Sequence, residues 1–454
     1  MENRKMEIPN IPAPKNKRIV IAGAGFAGLK LARKLIGKGF QIILIDKNNF
    51  HQFQPLLYQV ATAGLEPSAI SFPLRKVLQN TKDVHFRIAG LERVDPEKKE
   101  LITSIGLLKY DYLVLSMGAE TNFFGQKEIE QHALSMKSAS DAIFIRNSIL
   151  EHFEQALLET DPAMIEQYLN IILVGGGPTG VEMAGALAEM RKYIFPKDYP
   201  ELDLSKMRIA LYEAAPRVLA SMSEQASARA LKYLKKLGVE VHLNTRVVHF
   251  NGSCIRLSDG SSITSKTVIW STGVKASTIK GFSPEIFGRG QRIRVDRYSR
   301  VKNYKDIFAI GDISLMETPK YPAGHPQVAQ TAIQQARQLS KNIVRMAKGK
   351  PARKFEYVDK GSLATIGRNL AVADLPFVKM RGFLAWMLWS FVHLFTIVGV
   401  KNRLMIFMNW SWNYFTYDQS LRLLIKPGRT AIQKKKNEKT VNDQHEVRIK
   451  EVTY

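Results

Sequence analysis

A chain of 454 residues is too long for one ordinary hydrophobic core, and 45% apolar residues exclude global disorder, so two or three folded domains are expected. A net charge of +25 favours an anionic partner: nucleic acid, anionic lipid or a phosphate-bearing substrate. The single cysteine, Cys254, excludes an intrachain disulfide, a CxxC redox pair and a four-thiolate zinc site.

The opening MENRKMEIPNIPAPKNKR is polar, lacks the apolar core of a secretory signal and predicts a flexible lead-in. The first strand is the β-branched run RIVIA at 18–22. It leads into GAGFAG, with Gly23, Gly25 and Gly28, then a helical pattern, then QIILID ending at Asp46. Between a strand and a helix, the first glycine permits the tight turn and the second lets backbone approach a diphosphate. The third lets the helix pack closely, and the helix N-terminus stabilises the anion. Asp46 lies eighteen residues beyond Gly28, where a carboxylate accepts from ribose hydroxyls.

The pattern returns about 150 residues later. NIILV at 170–174 precedes GGGPTG, with Gly175, Gly177 and Gly180. A helix and a strand ending at Glu213 follow. A carboxylate there repels the 2′-phosphate of NADP, so the second nucleotide is expected to be NAD. Two such openings predict two dinucleotides, one held permanently and one exchanged. YDYLVLSMGA at 110–119 and KTVIWSTGV at 266–274, which contains Gly273, close the two units in the same manner. DIFAIGDI at 306–313 is a third strand end, and its Gly311 and Asp312 suit a bond to a ribityl chain. A helix is expected over 326–349.

From 379 to 436 the composition changes, with ten Lys or Arg and one acid, Asp418. FLAWMLWSFVHLFTIVGV at 383–400 holds eighteen residues without formal charge, the lower limit for crossing a bilayer core. In the next stretch Trp410, Trp412, Tyr414 and Tyr417 suit the headgroup level. Two adjoining helices with basic rims predict a segment that lies in the interface rather than crossing it. The charged tail is predicted to be disordered.

These features resemble the two-dinucleotide-binding-domain flavoproteins. Their disulfide reductases need a cysteine pair that is missing here. More specifically, NFHQFQPLLYQVATAGL at 49–65, GGGPTGVEMAGAL at 175–187, AQTAIQ at 329–334 and DKGSLATIGR at 359–368 resemble the type II NADH:quinone oxidoreductases. The likeness runs from 18 to about 426. It implies an α/β fold of two Rossmann-like dinucleotide-binding domains, for FAD and NAD, plus a C-terminal amphipathic membrane-anchoring helical segment. The expected layout is a first FAD part at 15–165, an NAD domain at 166–285 and a second FAD part at 286–378. Anchoring helices at 379–430 and a tail at 431–454 follow.

The resemblance also assigns roles. Ala329, Gln330 and Gln334 match the quinone motif; spacing alone reads the two amides, four residues apart, as an ordinary polar helix face. Glu182 is expected near flavin and quinone as a proton relay; its plainer reading is an acid stabilising a helix start. Lys360 is expected near the flavin face or quinone, Gly64 among the flavin surroundings, and His51 in a structural role. FAD and NADH are the implied cofactors. Hydride passes from NADH to flavin and two electrons to a quinone, with two protons from solvent through Glu182 or nearby groups. The scheme needs no protein nucleophile and no metal, and no coupled ion pumping is expected. The implied partners are a membrane quinone, an anionic bilayer surface and a second copy of the chain, with no nucleic acid. The implied location is peripheral, on the cytoplasmic face of the inner membrane. The rival reading is a soluble flavin reductase serving a small carrier such as ferredoxin, which has no use for the apolar segment.

Overall fold

The computed structural model describes residues 6–419 and 421–425. Two five-stranded parallel sheets frame it. The first has the order Ile307–Ala309, Tyr112–Leu115, Arg18–Ala22, Gln41–Asp46, Val84–Ile88. Val20 pairs with Ile43 on one side and Leu113 on the other. Layers cover both faces, so all five residues of RIVIA are buried. Helices Phe26–Leu35 and Ala329–Ala347 pack together on one face, burying Leu31, Leu35, Leu339 and Ile343.

The second sheet repeats this layout in the order Leu134–Ser135, Thr267–Trp270, Ile171–Val174, Ile209–Tyr212, Glu240–His242. Its helix Pro178–Tyr193 begins after Gly177 with a proline, whose fixed φ suits a helix start. The edge strand Ile307–Ala309 joins the first sheet only after the second is complete, so the chain leaves the first unit and returns to it. The boundary expected at 165/166 needs correction, because Leu134–Ser135 already pairs with Ile269 and Trp270. Two residues are too short a run to show as a strand in sequence.

The lead-in also differs from expectation. Ile8 is buried, and its N–H donates to Leu107 O at 3.1 Å. Pro12 O accepts from Arg18 Nη2 at 3.1 Å and Gln41 Nε2 at 2.9 Å. These tertiary partners fix a segment whose polar composition points to mobility. The helix expected over 326–349 spans Ala329–Ala347, because Val328 is still extended. The tail expected at 431–454, and 426–430 before it, lie outside the described residues.

An antiparallel hairpin, Ser362–Gly367 with Leu370–Asp374, lies against helix Pro178–Tyr193. A Cβ on Gly185 of that helix would sit 1.6 Å from Ile366 O, so only glycine permits the approach. Helices Phe383–Thr396 and Val400–Thr416 follow. Fourteen residues in the first reach about 21 Å, against about 30 Å of bilayer hydrocarbon. Among the described residues no helix is long and apolar enough to cross a membrane.

The outward face of both helices is apolar. Leu384, Met387, Phe391 and Phe395 of the first are exposed, as are Leu404, Phe407, Trp412 and Phe415 of the second. Trp389 and Ala385 point inward. The body grips the second helix through polar bonds: Trp410 Nε1 donates to Gln59 Oε1 at 2.8 Å, and Asn402 Nδ2 to Ser68 O at 2.9 Å.

Candidate functional site

The two glycine loops are built alike. In the first, Gly23 N–H donates to Ile45 O at 2.8 Å, and Ala24 N–H donates to Asp46 Oδ2 at 2.7 Å. Asn48 N–H holds the other carboxylate oxygen at 2.8 Å. In the second, Gly175 N–H donates to Tyr212 O at 2.8 Å, Gly176 N–H to Glu213 Oε2 at 2.5 Å, and Ala215 N–H to Oε1 at 2.7 Å. Each acid is therefore fixed at the lip of its loop. Burial raises the Asp46 carboxyl, and the two amide donors oppose it.

Two serines complete the pattern. Ser116 Oγ donates to Ala22 O and Gly23 O at 2.9 and 2.8 Å; Ser271 Oγ donates to Val174 O and Gly175 O at 2.9 and 3.2 Å. Sequence reasoning missed them, although the shared Ser-x-Gly ending the two closing strands is a visible signal.

Dinucleotides fit these loops. A Cβ on Gly28 would lie 1.8 Å from Gly23 O, and one on Gly180 would lie 1.9 Å from Gly175 O, so helix and turn are in contact. Gly25 and Gly177, the helix N-caps, have no other group within 4 Å of such a Cβ. That open space at two helix N-termini suits a diphosphate. Gly273 is placed differently: it packs on Phe124, and its carbonyl accepts from Asn122 N–H at 3.2 Å.

Gly311 and Asp312 form a tight turn at the end of strand Ile307–Ala309. Gly311 adopts φ +76°, and its N–H donates to Gln335 Oε1 at 2.7 Å. Burial raises the Asp312 carboxyl, while Lys137 and Arg292 act against that. Burial lowers Lys137 in turn. His51 is buried with Nδ1 3.0 Å from Ala24 O, and burial lowers its pKa, so it braces the first loop as a neutral ring.

A cavity of about 120 Å³ lies between the second unit and the C-terminal helices. Glu182 and Gly64 both line it, with Tyr58, Glu189, Arg368 and Trp389. Glu182 is 8% exposed. Thr365 N–H reaches its carboxyl at 3.4 Å. Trp389 lies close enough to act on its charge, although the indole N–H closes no hydrogen bond of ordinary geometry. Burial dominates, and the Glu182 pKa is pushed up to about 8. This acid holds its proton at neutral pH and can give it up. The Tyr58 hydroxyl, also buried, accepts from Gln59 Nε2 at 2.9 Å and feels both glutamates.

The remaining predicted residues lie elsewhere. Gln330, Gln334 and Lys360 do not line this cavity. The Gln334 amide is engaged twice by Val358, donating to its O at 2.9 Å and accepting from its N–H at 3.1 Å. Gln330 is half-buried, and Ala329 is half-buried beside it. Lys360 is exposed. Gln335, unnoticed in sequence, is the buried amide that fixes Gly311.

Two parallel sheets, each with a glycine loop, a helix and an acid at the next strand end, define a protein with two dinucleotide-binding units. The pyridine nucleotide-disulphide oxidoreductase model matches residues 17–336, and the NDH2 C-terminal domain model matches 360–416. The chain is 36% identical over 427 residues to the type II NADH:quinone oxidoreductase Ndh of Mycobacterium tuberculosis, covering 90% of each. It is 31% identical over 368 residues to the enzyme of the same name from Staphylococcus saprophyticus, covering 79% of this chain and 89% of that one. The structure of NDH2 from Plasmodium falciparum in complex with NADH shares the fold, with a TM-score of 0.83, 21% identity, and coverage of 91% of this chain and 100% of that one. The chain belongs to the type II NADH:quinone oxidoreductase family.

Proposed function

We propose that the chain catalyses NADH + H⁺ + quinone → NAD⁺ + quinol at a membrane surface. FAD, when bound, supplies the redox chemistry, accepting hydride and passing two electrons on. Gly23, Gly25, Gly28, Asp46, Gly311 and Asp312 are the residues that would hold it, with Gly64 and Ala329 in its surroundings. Gly175, Gly177, Gly180 and Glu213 would hold NADH, with Gly273 closing that unit. Glu182 holds a proton for a quinone oxygen; Gln330 and Lys360 are further polar groups toward that end. The single observation that carries the reading is Glu182 buried in a cavity walled by two helices with apolar outer faces. A lipophilic acceptor and a proton meet in such a place.

The same helices support peripheral attachment. Their outward apolar rows are flanked by exposed Lys379, Arg381 and Lys401. Each basic residue near an anionic surface contributes about 1 kcal/mol of attraction. The face is the one supplied with NADH, the cytoplasmic side of the inner membrane. Pairing as a homodimer rests on the family resemblance, and analytical ultracentrifugation tests it. Replacing Phe391 and Phe395 with Asp should abolish co-sedimentation with anionic vesicles and leave NADH oxidation by a water-soluble quinone intact.

The test of activity is anaerobic. One equivalent of NADH should bleach the flavin band, and a short-chain quinone should restore it promptly. Bleaching without recovery for several quinones overturns the acceptor assignment.

A further inference from the structure

We propose that Glu189 is a second proton station, which recharges Glu182 from the aqueous surface between turnovers. The proposal rests on the reading of Glu182 as proton donor to quinone. Glu182 and Glu189 are seven residues apart on helix Pro178–Tyr193, two turns along one face, and both line the same cavity. At about 1.5 Å per residue they lie about 10.5 Å apart along the axis, too far for a direct proton hop. The cavity has room for several waters between them.

Polar groups mark the route. The Tyr58 hydroxyl feels both carboxyls and is held by Gln59. Beyond Glu189 a smaller cavity of about 20 Å³ continues, sharing Glu189, Arg368, Asn413 and Gln419 with the larger one. That is space for about one water. At this junction Gln419 Oε1 is buried without a hydrogen-bond partner among the described residues, so a water there has an acceptor waiting. Glu189 itself is only partly buried, in contrast to Glu182. Its Oε1 accepts from Arg368 N–H at 2.5 Å. The charged and titratable groups facing it are Arg368 from the hairpin, Tyr58 from the helix Leu57–Ala61, Tyr417 from the C-terminal segment, and Tyr193 and Glu182 on its own helix.

The step balances. Quinone takes two electrons and one hydrogen that originate in the hydride of NADH, and one further proton that comes through the protein. One O–H bond forms on the quinone as the Glu182 O–H breaks. Glu182 then takes the proton of Glu189, and Glu189 takes one from bulk water.

A purely structural Glu189 would do no more than accept the Arg368 N–H. Glu189→Gln keeps that acceptor and removes the transferable proton, so the two roles separate. In stopped-flow experiments on detergent-purified holoenzyme, E189Q should bleach with NADH at the wild-type rate. Its reoxidation by a short-chain quinone should be slower, on the order of tenfold, and small weak acids such as formic acid should restore it. E189D should retain most of the rate. Wild-type reoxidation in E189Q at every pH overturns the proposal. Wild-type reoxidation in E182Q sinks the donor reading instead. Should E189Q lose flavin, Gln419→Leu fills the junction and leaves Glu189 in place; it should slow reoxidation likewise, and an unchanged rate again overturns the route.

Discussion

The N–H of Thr365 points at the Glu182 carboxyl from 3.4 Å, across the contact between a C-terminal hairpin and the helix that starts at the second nucleotide loop. The next turns repeat the relationship, with Arg368 N–H on Glu189. Hairpin amides facing a helix are thus satisfied by carboxyl groups of that helix, in a place where backbone donors would otherwise lack partners. The same two acids serve the backbone and the cavity.

Glu182 should set the pH dependence of quinone reduction. Its pKa of about 8 means the donor is protonated below that value and empties above it. Reoxidation by quinone should fall as pH rises through about 8, while bleaching by NADH should not follow that curve. Glu182→Gln should slow reoxidation by about 10²-fold and flatten the profile. Stopped-flow traces at several pH values decide it.

The same burial has a cost in stability. The folded state keeps the Glu182 proton up to about pH 8, whereas the unfolded chain releases it near 4.5. Protonation therefore favours the folded state at low pH, and that contribution is lost as pH rises from about 4.5 to about 8. The loss is on the order of a few kcal/mol. Glu182→Gln should gain Tm relative to wild type across that window, with the gain levelling off above it. Paired thermal melts from pH 5 to 9 test this; a constant difference contradicts it.

Glycine substitutions should separate folding from nucleotide binding. Gly25 and Gly177 have extended backbone and open space, so Gly25→Ala and Gly177→Ala should fold. Gly25→Ala should purify with little flavin. Gly177→Ala should keep its flavin and show a raised KM for NADH. Gly28→Ala and Gly180→Ala push a methyl into a carbonyl and should misfold or melt far below wild type. Flavin content and circular dichroism distinguish the two classes.

Arg368 should hold the second apolar helix in place. Its guanidinium donates to Tyr414 O at 2.8 Å and Asn413 O at 2.5 Å, and lies 3.4 Å from the centre of the Tyr417 ring. These carbonyls end helix Val400–Thr416, where a cation also suits the helix dipole. Arg368→Ala should cost about 2 kcal/mol and expose the C-terminal helices to limited proteolysis. Arg368→Lys should rescue only in part, since an ammonium cannot span both carbonyls and stack on the ring.

What sequence made legible was local. Glycine spacing, the acids at Asp46 and Glu213, and the strands Arg18–Ala22 and Gln41–Asp46 all follow from residues close together in the chain. The cavity was not legible, because it joins Tyr58, Glu182, Arg368, Trp389 and Gln419 from distant segments. Glu189 stood two turns from Glu182 in plain view, but nothing local marks it as lining a cavity. Gln334 and Gln335 show the same limit. A step of one residue turns a helix by about 100°, enough to send one amide to a surface strap and the other to the GDI turn.

Helix Pro178–Tyr193 acts as a ruler. Its zero mark is the nucleotide loop at Gly177, and Gly185 pins it to the hairpin without clearance. Along it Glu182 stands about 7.5 Å from that mark and Glu189 about 18 Å. Inserting or deleting one residue within it would turn every later graduation through about 100°, so its length is metrology as much as structure.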